Sequence, residues 1–183
     1  DDANGLTDST VNGTGTNAGG LTAYLVDAVT GAVVASSPVA ANGAYSFPNI
    51  ANGAYGVVLS ATPGQTSNPT TDLPSNWVTT GEGTSPAGDG TPDGRVTPVI
   101  VNGASVGGVN FGIEQRPTAG GTTLPPQSNP GGTVSVPVAA TAFQTGSTDP
   151  DGVITSYTIT AFPTNATSIT IGGVVYTPTG GNG

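Results

Sequence analysis

The chain has no cysteine, no histidine, no methionine and no lysine. Without cysteine there is no disulfide framework and no thiolate chemistry. Without histidine the usual general base is absent, and so is the commonest transition-metal ligand. The only cations are Arg95 and Arg116, set against 11 acidic residues for a net charge of −9. Nucleic-acid binding needs cations that displace phosphate counterions, and an anionic membrane surface needs them too. Neither partner is expected, and the acidic balance favours divalent cations instead. No apolar run reaches the roughly 18 residues of a membrane span, so membrane insertion of this segment is not expected. No signal-peptide pattern is visible.

What is abundant is turn chemistry. Of 183 residues, 30 are glycine and 16 proline, a level at which disorder competes with folding. Two features argue for folding. Only 7% of residues are charged, whereas disordered chains carry more. Val, Ile, Leu, Tyr and Phe also recur with period two between turn signals, the pattern of short strands. The pentapeptide ANGAY occurs at 41–45 and at 51–55. Asn42-Gly43 and Asn52-Gly53 are turn dipeptides, because both residue types tolerate positive φ. Each is expected to open a strand: Tyr45 and Phe47 alternate after the first, Tyr55, Val57 and Leu59 after the second. The spacing is one strand plus one turn and does not persist, so no solenoid is implied.

Further strands are expected over 21–27 (LTAYLVD), 32–36, 95–101 and 106–113, with a short one at Trp77-Val78. In the first, Leu21, Ala23, Leu25 and Asp27 share one face, Tyr24 and Val26 the other. Residues 63–92 read as a long polar excursion with little to bury. Residues 115–132, QRPTAGGTTLPPQSNPGG, read as a linker stiffened by four prolines, able to span on the order of 50 Å. Beyond it, TVSVPV (133–138), VITSYTITA (153–161), SITI (168–171) and GVVYTP (173–178) are strand patterns again. No segment holds a 3.6 period, so the class is all-β. The expected organisation is a β-sandwich over 1–114, the linker, and a second β domain over 133–183. Fifty-odd residues without disulfides bury only a marginal core. The second domain is therefore expected to be incomplete without a neighbouring strand.

The stretch GAYSFPNIANGAYGVVLSATPG resembles the B-type repeat domain of serine-aspartate-repeat adhesins (SdrD B-like), related to the collagen-adhesin B and prealbumin-like folds. Gly43, Tyr45, Phe47, Ile50, Gly53, Tyr55 and Val57 carry the match. DDANGLTD resembles that family's acidic loop, LTAYLVDAVTG its second strand and turn, and GRVTPVIVNGASVGGVNFGIEQRP its last two strands and exit. Together they cover residues 1–117. STDPDGVITSYTITAFPTNATSITIGGVVYTPTG resembles an immunoglobulin- or cadherin-like repeat of tandem bacterial surface proteins. The resemblance implies a prealbumin-like sandwich followed by an Ig-like one. It also implies a further strand ahead of the acidic loop, supplied by preceding chain or by a neighbour. The Lys–Asn cross-link of some relatives is impossible without lysine.

The acidic loop is the leading chemical candidate. Asp2, Asn4, the Leu6 carbonyl and Asp8 offer hard oxygens on a Gly-assisted turn, and calcium takes six to eight such ligands. The family analogy adds Asp27. The same residues also suit an Asx-rich turn capped by its own side chains. Asp89 and Asp93 in GDGTPDGR, and Asp149 and Asp151 in STDPDG, are further metal candidates with the same turn alternative. Carboxylate pairs for glycoside hydrolysis need a cleft and a raised pKa. Here the Asp residues sit in turns, and Glu82 and Glu114 read as a loop residue and a strand exit, so no enzyme is expected. Trp77 reads as a core or interface anchor rather than a sugar platform.

The expected function is mechanical. The chain reads as a structural subunit or tandem-repeat module of a secreted bacterial surface polymer or extracellular filament. Its β-sandwich domains would be stiffened by calcium and joined to copies of itself or neighbouring repeats by strand complementation. The alternative is an adhesin domain recognising a host protein or glycan through residues 63–93. That loop is poor in the Trp, Tyr and Arg of binding hot spots.

Overall fold

A computed structural model of the chain describes residues 13–85, 88–121, 123, 135–139, 141–162, 164 and 166–178. The protein is all-β, with one helical turn among the described residues, α1 (Thr141–Gln144). Six strands make two antiparallel sheets: β1 (Thr22–Asp27), β2 (Val33–Pro38), β3 (Gly53–Ser60), β4 (Trp77–Gly83), β5 (Arg95–Val101) and β6 (Asn110–Gln115). One sheet has the order β2-β1-β3-β5; the other pairs β4 with β6. Two compact units divide between Val153 and Ile154. The smaller contains a hairpin of β7 (Ile169–Ile171) and β8 (Val174–Tyr176).

The core follows from alternation. Ala23 and Leu25 of β1, Tyr55, Val57 and Leu59 of β3, Val96 and Val99 of β5 and Ile113 of β6 form one buried cluster with Leu21 and Val39. Tyr45 and Phe47 pack against it, their rings in edge contact at 5.6 Å. The Tyr45 hydroxyl donates to the Val109 carbonyl at 2.7 Å. The two Asn-Gly turns at 52–53 and 102–103 meet at one end, where Gly103 N–H donates to Asn52 Oδ1 at 2.7 Å.

The second face of β1 is also buried. Tyr24, Val26 and Val58 form a separate cluster with Val33 beside it. Residues 61–72 lie over it. The Tyr24 hydroxyl donates to the Thr62 carbonyl at 2.8 Å, and Val33 N–H donates to the Thr66 carbonyl at 2.9 Å. Gln65 braces the wrap, donating to Ser60 Oγ at 2.9 Å and accepting from Thr70 N–H at 2.8 Å. The Arg95 guanidinium donates to the Pro69 carbonyl at 2.8 Å, and Pro69 is fully buried. Gly31, at φ 72°, turns the chain where a Cβ would strike Asn68 of this wrap. The polar excursion expected over 63–92 therefore has much to bury: its first third covers a second core, and β4 runs on to Gly83.

Other boundaries move for local reasons. Asn52-Gly53 opens β3, but residues 42–47 form a turn without a strand, closed by Ala40 N–H to the Ala44 carbonyl at 2.8 Å. β6 begins at Asn110 rather than 106, because Gly107 and Gly108, the latter at φ 74°, keep that stretch in a loop. Residues 135–138 and 153–161 form no strand. Side chains alternate along any extended chain, so period two alone does not make a ladder.

Candidate metal centre

The acidic loop and its ligands Asp2, Asn4, Leu6 and Asp8 lie outside the described residues. Asp27 is already occupied. Its Oδ1 accepts from Val29 N–H at 3.0 Å, Thr30 N–H at 2.8 Å and the Thr30 hydroxyl at 2.9 Å. The Thr30 backbone bond first, then its hydroxyl, hold the Asp27 carboxyl below the ordinary carboxylate range. Asp89 likewise caps its own turn, accepting from Thr91 N–H at 3.0 Å.

Asp149 and Asp151 are brought together, with a partner that was not anticipated. Glu114 reads in sequence as a strand exit; it lies inside β6 and is only 4% exposed. One carboxylate oxygen each of Glu114, Asp149 and Asp151 lies within 4.8 Å of the others, the one such acidic group among the described residues.

The local sequence builds this geometry. Thr118 and Thr148 exchange backbone bonds in both directions, at 2.8 and 2.9 Å, so the chain after β6 pairs with the approach to STDPDG. Gly120 N–H donates to Ser147 Oγ at 2.9 Å. Asp-Pro-Asp-Gly then turns tightly, with Pro at the second position and Gly at the fourth. Gly152 N–H caps Asp149 Oδ1 at 3.1 Å. Asp151 Oδ2 accepts from Gln115 N–H at 2.9 Å, which ties the turn to the end of β6. A Cβ on Gly152 would sit 3.0 Å from Glu114 Oε1 and 3.1 Å from Asp149 Oδ2. Those two oxygens converge over Gly152, where an added side chain would press on both.

The donor set suits a hard cation. Two oxygens bound to one calcium at 2.3–2.6 Å lie at most about 5 Å apart, and the three here meet that limit. Asp151 Oδ1 is buried with no hydrogen-bond partner, the kind of atom an ion satisfies. With neither histidine nor cysteine in the chain, soft or borderline metals lack their preferred ligands. Sequence reasoning found both aspartates from their turn. It missed Glu114 because proximity of β6 to residue 149 depends on the 118–148 pairing, which begins inside a stretch read as a proline-stiffened linker. The available signal was Glu114 itself, one of only two glutamates in the chain and placed in alternation with Phe111 and Ile113.

The pairing can be tested directly. A Cβ on Gly120 would fall 2.2 Å from the Gly146 carbonyl carbon and 2.3 Å from the Thr145 oxygen, both backbone atoms. Gly120→Val is expected to pull residues 145–152 off β6 and weaken calcium binding by roughly 10–100-fold, the usual cost of losing outer support of a metal site. Isothermal titration of calcium into wild type and variant measures it.

The other glutamate, Glu82, read as a loop residue, lies in β4 and is fully buried. It stands opposite Phe111 in the β4–β6 register, on the face turned to the core. Burial first of all, with Asp93 and Asp89 adding repulsion, pushes its carboxyl up to about 7 despite bonds from the Asp93 and Gly94 backbone.

Compared with protein-family models, curated proteins and solved structures, the chain matches none.

Proposed function

We propose that the chain is a structural module of a secreted bacterial surface polymer or extracellular filament, in which calcium fastens the segment following a β-sandwich back onto its last strand. The observation that carries this reading is the convergence of Glu114, Asp149 and Asp151 at the end of β6. An ion there would hold residues 147–152 to the end of β6, beside the Thr118–Thr148 pairing, and so fix the chain after the sandwich at a second point, which is what a load-bearing tandem array needs. The family resemblance of residues 1–117 points the same way.

Two features support joining between copies. A groove of about 430 Å³ runs beside β6, lined by Leu21, Val39, Tyr45, Leu59, Phe111 and Ile113 together with residues 13–16. Added strands bind such edges through main-chain bonds, with side-chain pockets giving specificity. Residues 152–183 also carry no charged side chain, so copies of a strongly acidic chain meet there without repulsion. Electron microscopy and sedimentation of the full chain, with calcium and at rising concentration, are expected to show linear assemblies. A strictly monomeric chain under all those conditions overturns the reading.

One observation favours an adhesin domain as the second reading. A shallow cleft of about 500 Å³ lies within residues 71–92, lined by Asp72, Leu73, Pro74, Trp77 and Pro92. It holds the chain's single tryptophan. Asp72, however, is already engaged by the Thr62 hydroxyl at 2.7 Å.

A further inference from the structure

Among the described residues β6 is paired on one edge only, because its sheet holds just β4 and β6. Arg116 N–H donates to the Asn76 carbonyl at 2.7 Å, on the β4 side. Gln115 N–H is turned the other way, to Asp151 Oδ2. In an antiparallel ladder alternate residues direct both backbone groups to the partner, and those between direct both away. Phe111 and Ile113 therefore present N–H and C=O to the open edge, as Gln115 does. The opposing strand agrees: Glu82 stands opposite Phe111, and its carbonyl accepts from Asp89 N–H at 2.7 Å instead of from β6. The metal turn closes this edge at Gln115 and leaves Phe111 and Ile113. The same two residues line the groove of about 430 Å³, with Leu21, Val39 and Leu59, and no residue of its lining is charged.

A segment suited to this edge lies in the same chain. On an extended backbone Val153, Thr155, Tyr157, Ile159 and Ala161 share one side, and Ile154, Ser156, Thr158 and Thr160 the other. Residues 153–160 join no sheet among the described residues. Val153, Tyr157 and Ile159 are exposed, Val153 at 74%. Nine extended residues reach about 30 Å and the six of β6 about 20 Å, so the segment is long enough to cover the open edge. The other apolar runs beyond β6 suit it less. β7 and β8 are already paired with each other, and Pro137 places a residue without N–H in the middle of 135–138. Charge selects in the same direction. The chain carries −9, none of it on residues 152–183, so a neutral segment meets a neutral groove.

Resting on the reading of the chain as a polymer module, we propose that residues 153–161 of one copy add as a strand to the open edge of β6 in the next. Main-chain bonds form to Phe111 and Ile113, and Val153, Tyr157 and Ile159 enter the groove. The partner is a second copy of this chain. Donor and acceptor are different surfaces, so the contact runs head to tail and propagates.

Sedimentation of the full chain in calcium tests the joint. Val153→Asp with Ile159→Asp alters two exposed side chains and is expected to melt as the wild type does. It is expected to need a roughly hundred-fold higher concentration to assemble, about a decade for each apolar side chain kept out of the groove. Equal assembly of that variant overturns the joint and leaves the module reading in place; a strictly monomeric wild type overturns both. Cysteine trapping names the occupant, because the chain has no cysteine of its own. Asn110 is exposed, opens β6 and lines the groove. Asn110→Cys is combined in one chain with Ile154→Cys, Ser156→Cys, Thr158→Cys or Thr160→Cys in turn. At least one pair is expected to give a ladder of covalent multimers on oxidation, and no single variant to do so. A disulfide closed within one chain returns the segment to its own edge, and the absence of a disulfide from every pair keeps it out of the groove; either result overturns the proposal. So does Asn110→Cys closing within one chain on Val11→Cys, which assigns the groove to the chain's own first residues.

Discussion

Chelation is expected to lower the melting temperature of the calcium-loaded protein by about 5–10 °C, and Glu114→Gln to abolish that response. An ion held at a hundred times its dissociation constant stabilises the folded form by about 2.7 kcal/mol. For a unit of this size each kcal/mol moves the transition by roughly 2–4 °C. The apo forms are expected to rank in the opposite order. Two like-charged carboxylate oxygens within 4.8 Å of each other repel by on the order of 3 kcal/mol or more at an effective dielectric of 20, and removing the buried member relieves this. The variant should therefore melt at or above the wild type in EDTA and below it in calcium. Differential scanning calorimetry in both conditions reads the crossing. Asp72→Asn, an exposed acidic position away from the site, controls for general charge screening and should keep the full calcium response. A wild type whose melt is indifferent to EDTA removes the ion from the account. A Gln variant that still responds places the ion elsewhere.

The contrast between the two glutamates and the aspartates shows what the sequence made legible. Turns announce themselves locally: Asp149 and Asp151 stand in Asp-Pro-Asp-Gly, where Pro fixes φ and Gly closes the turn. The strands over 53–60 and 95–101 were equally readable, because apolar alternation and flanking Asn-Gly signals agree, and that over 22–27 was readable from its alternation. Burial of Glu82 and Glu114 is not local. Glu114 is covered by residues more than 30 positions away, tied through the Asp151–Gln115 bond. Glu82 is covered by its own return loop against a strand that the Thr-Gly-Glu-Gly composition disguises. The same blindness hid the second core. Tyr24 and Val26 alternate away from the interior cluster, as expected, but nothing in the pattern says that the opposite face is covered too. Period two reports which residues share a face, not how many faces are dry.

That second core supplies the other large effect. Tyr24→Ala is expected to cost about 3–5 kcal/mol, as aromatic truncations in packed interiors do, and to lower the melting temperature on the order of 10 °C. Tyr24 is 1% exposed and sits between β2 and β3 under the 61–72 wrap. Truncation leaves a cavity against Val26 and Val58 and strips the Thr62 carbonyl of its donor. Tyr24→Phe separates the terms: it keeps the ring and loses only the hydrogen bond, for about 1 kcal/mol. Arg95→Met retains an apolar stem but drops the bond to the Pro69 carbonyl, and is expected to cost about 1.5–3 kcal/mol as a charge-assisted bond. Chemical denaturation of the three variants gives the ranking. A surface binding loop would tolerate all three changes, so a Tyr24→Ala protein as stable as the wild type would mean that residues 61–72 lie free, and would restore the adhesin reading of this region. A full loss means that the wrap is part of the fold. One of the two arginines in the chain then serves to clamp it, which leaves the first part of the 63–93 region little freedom to reach for a partner.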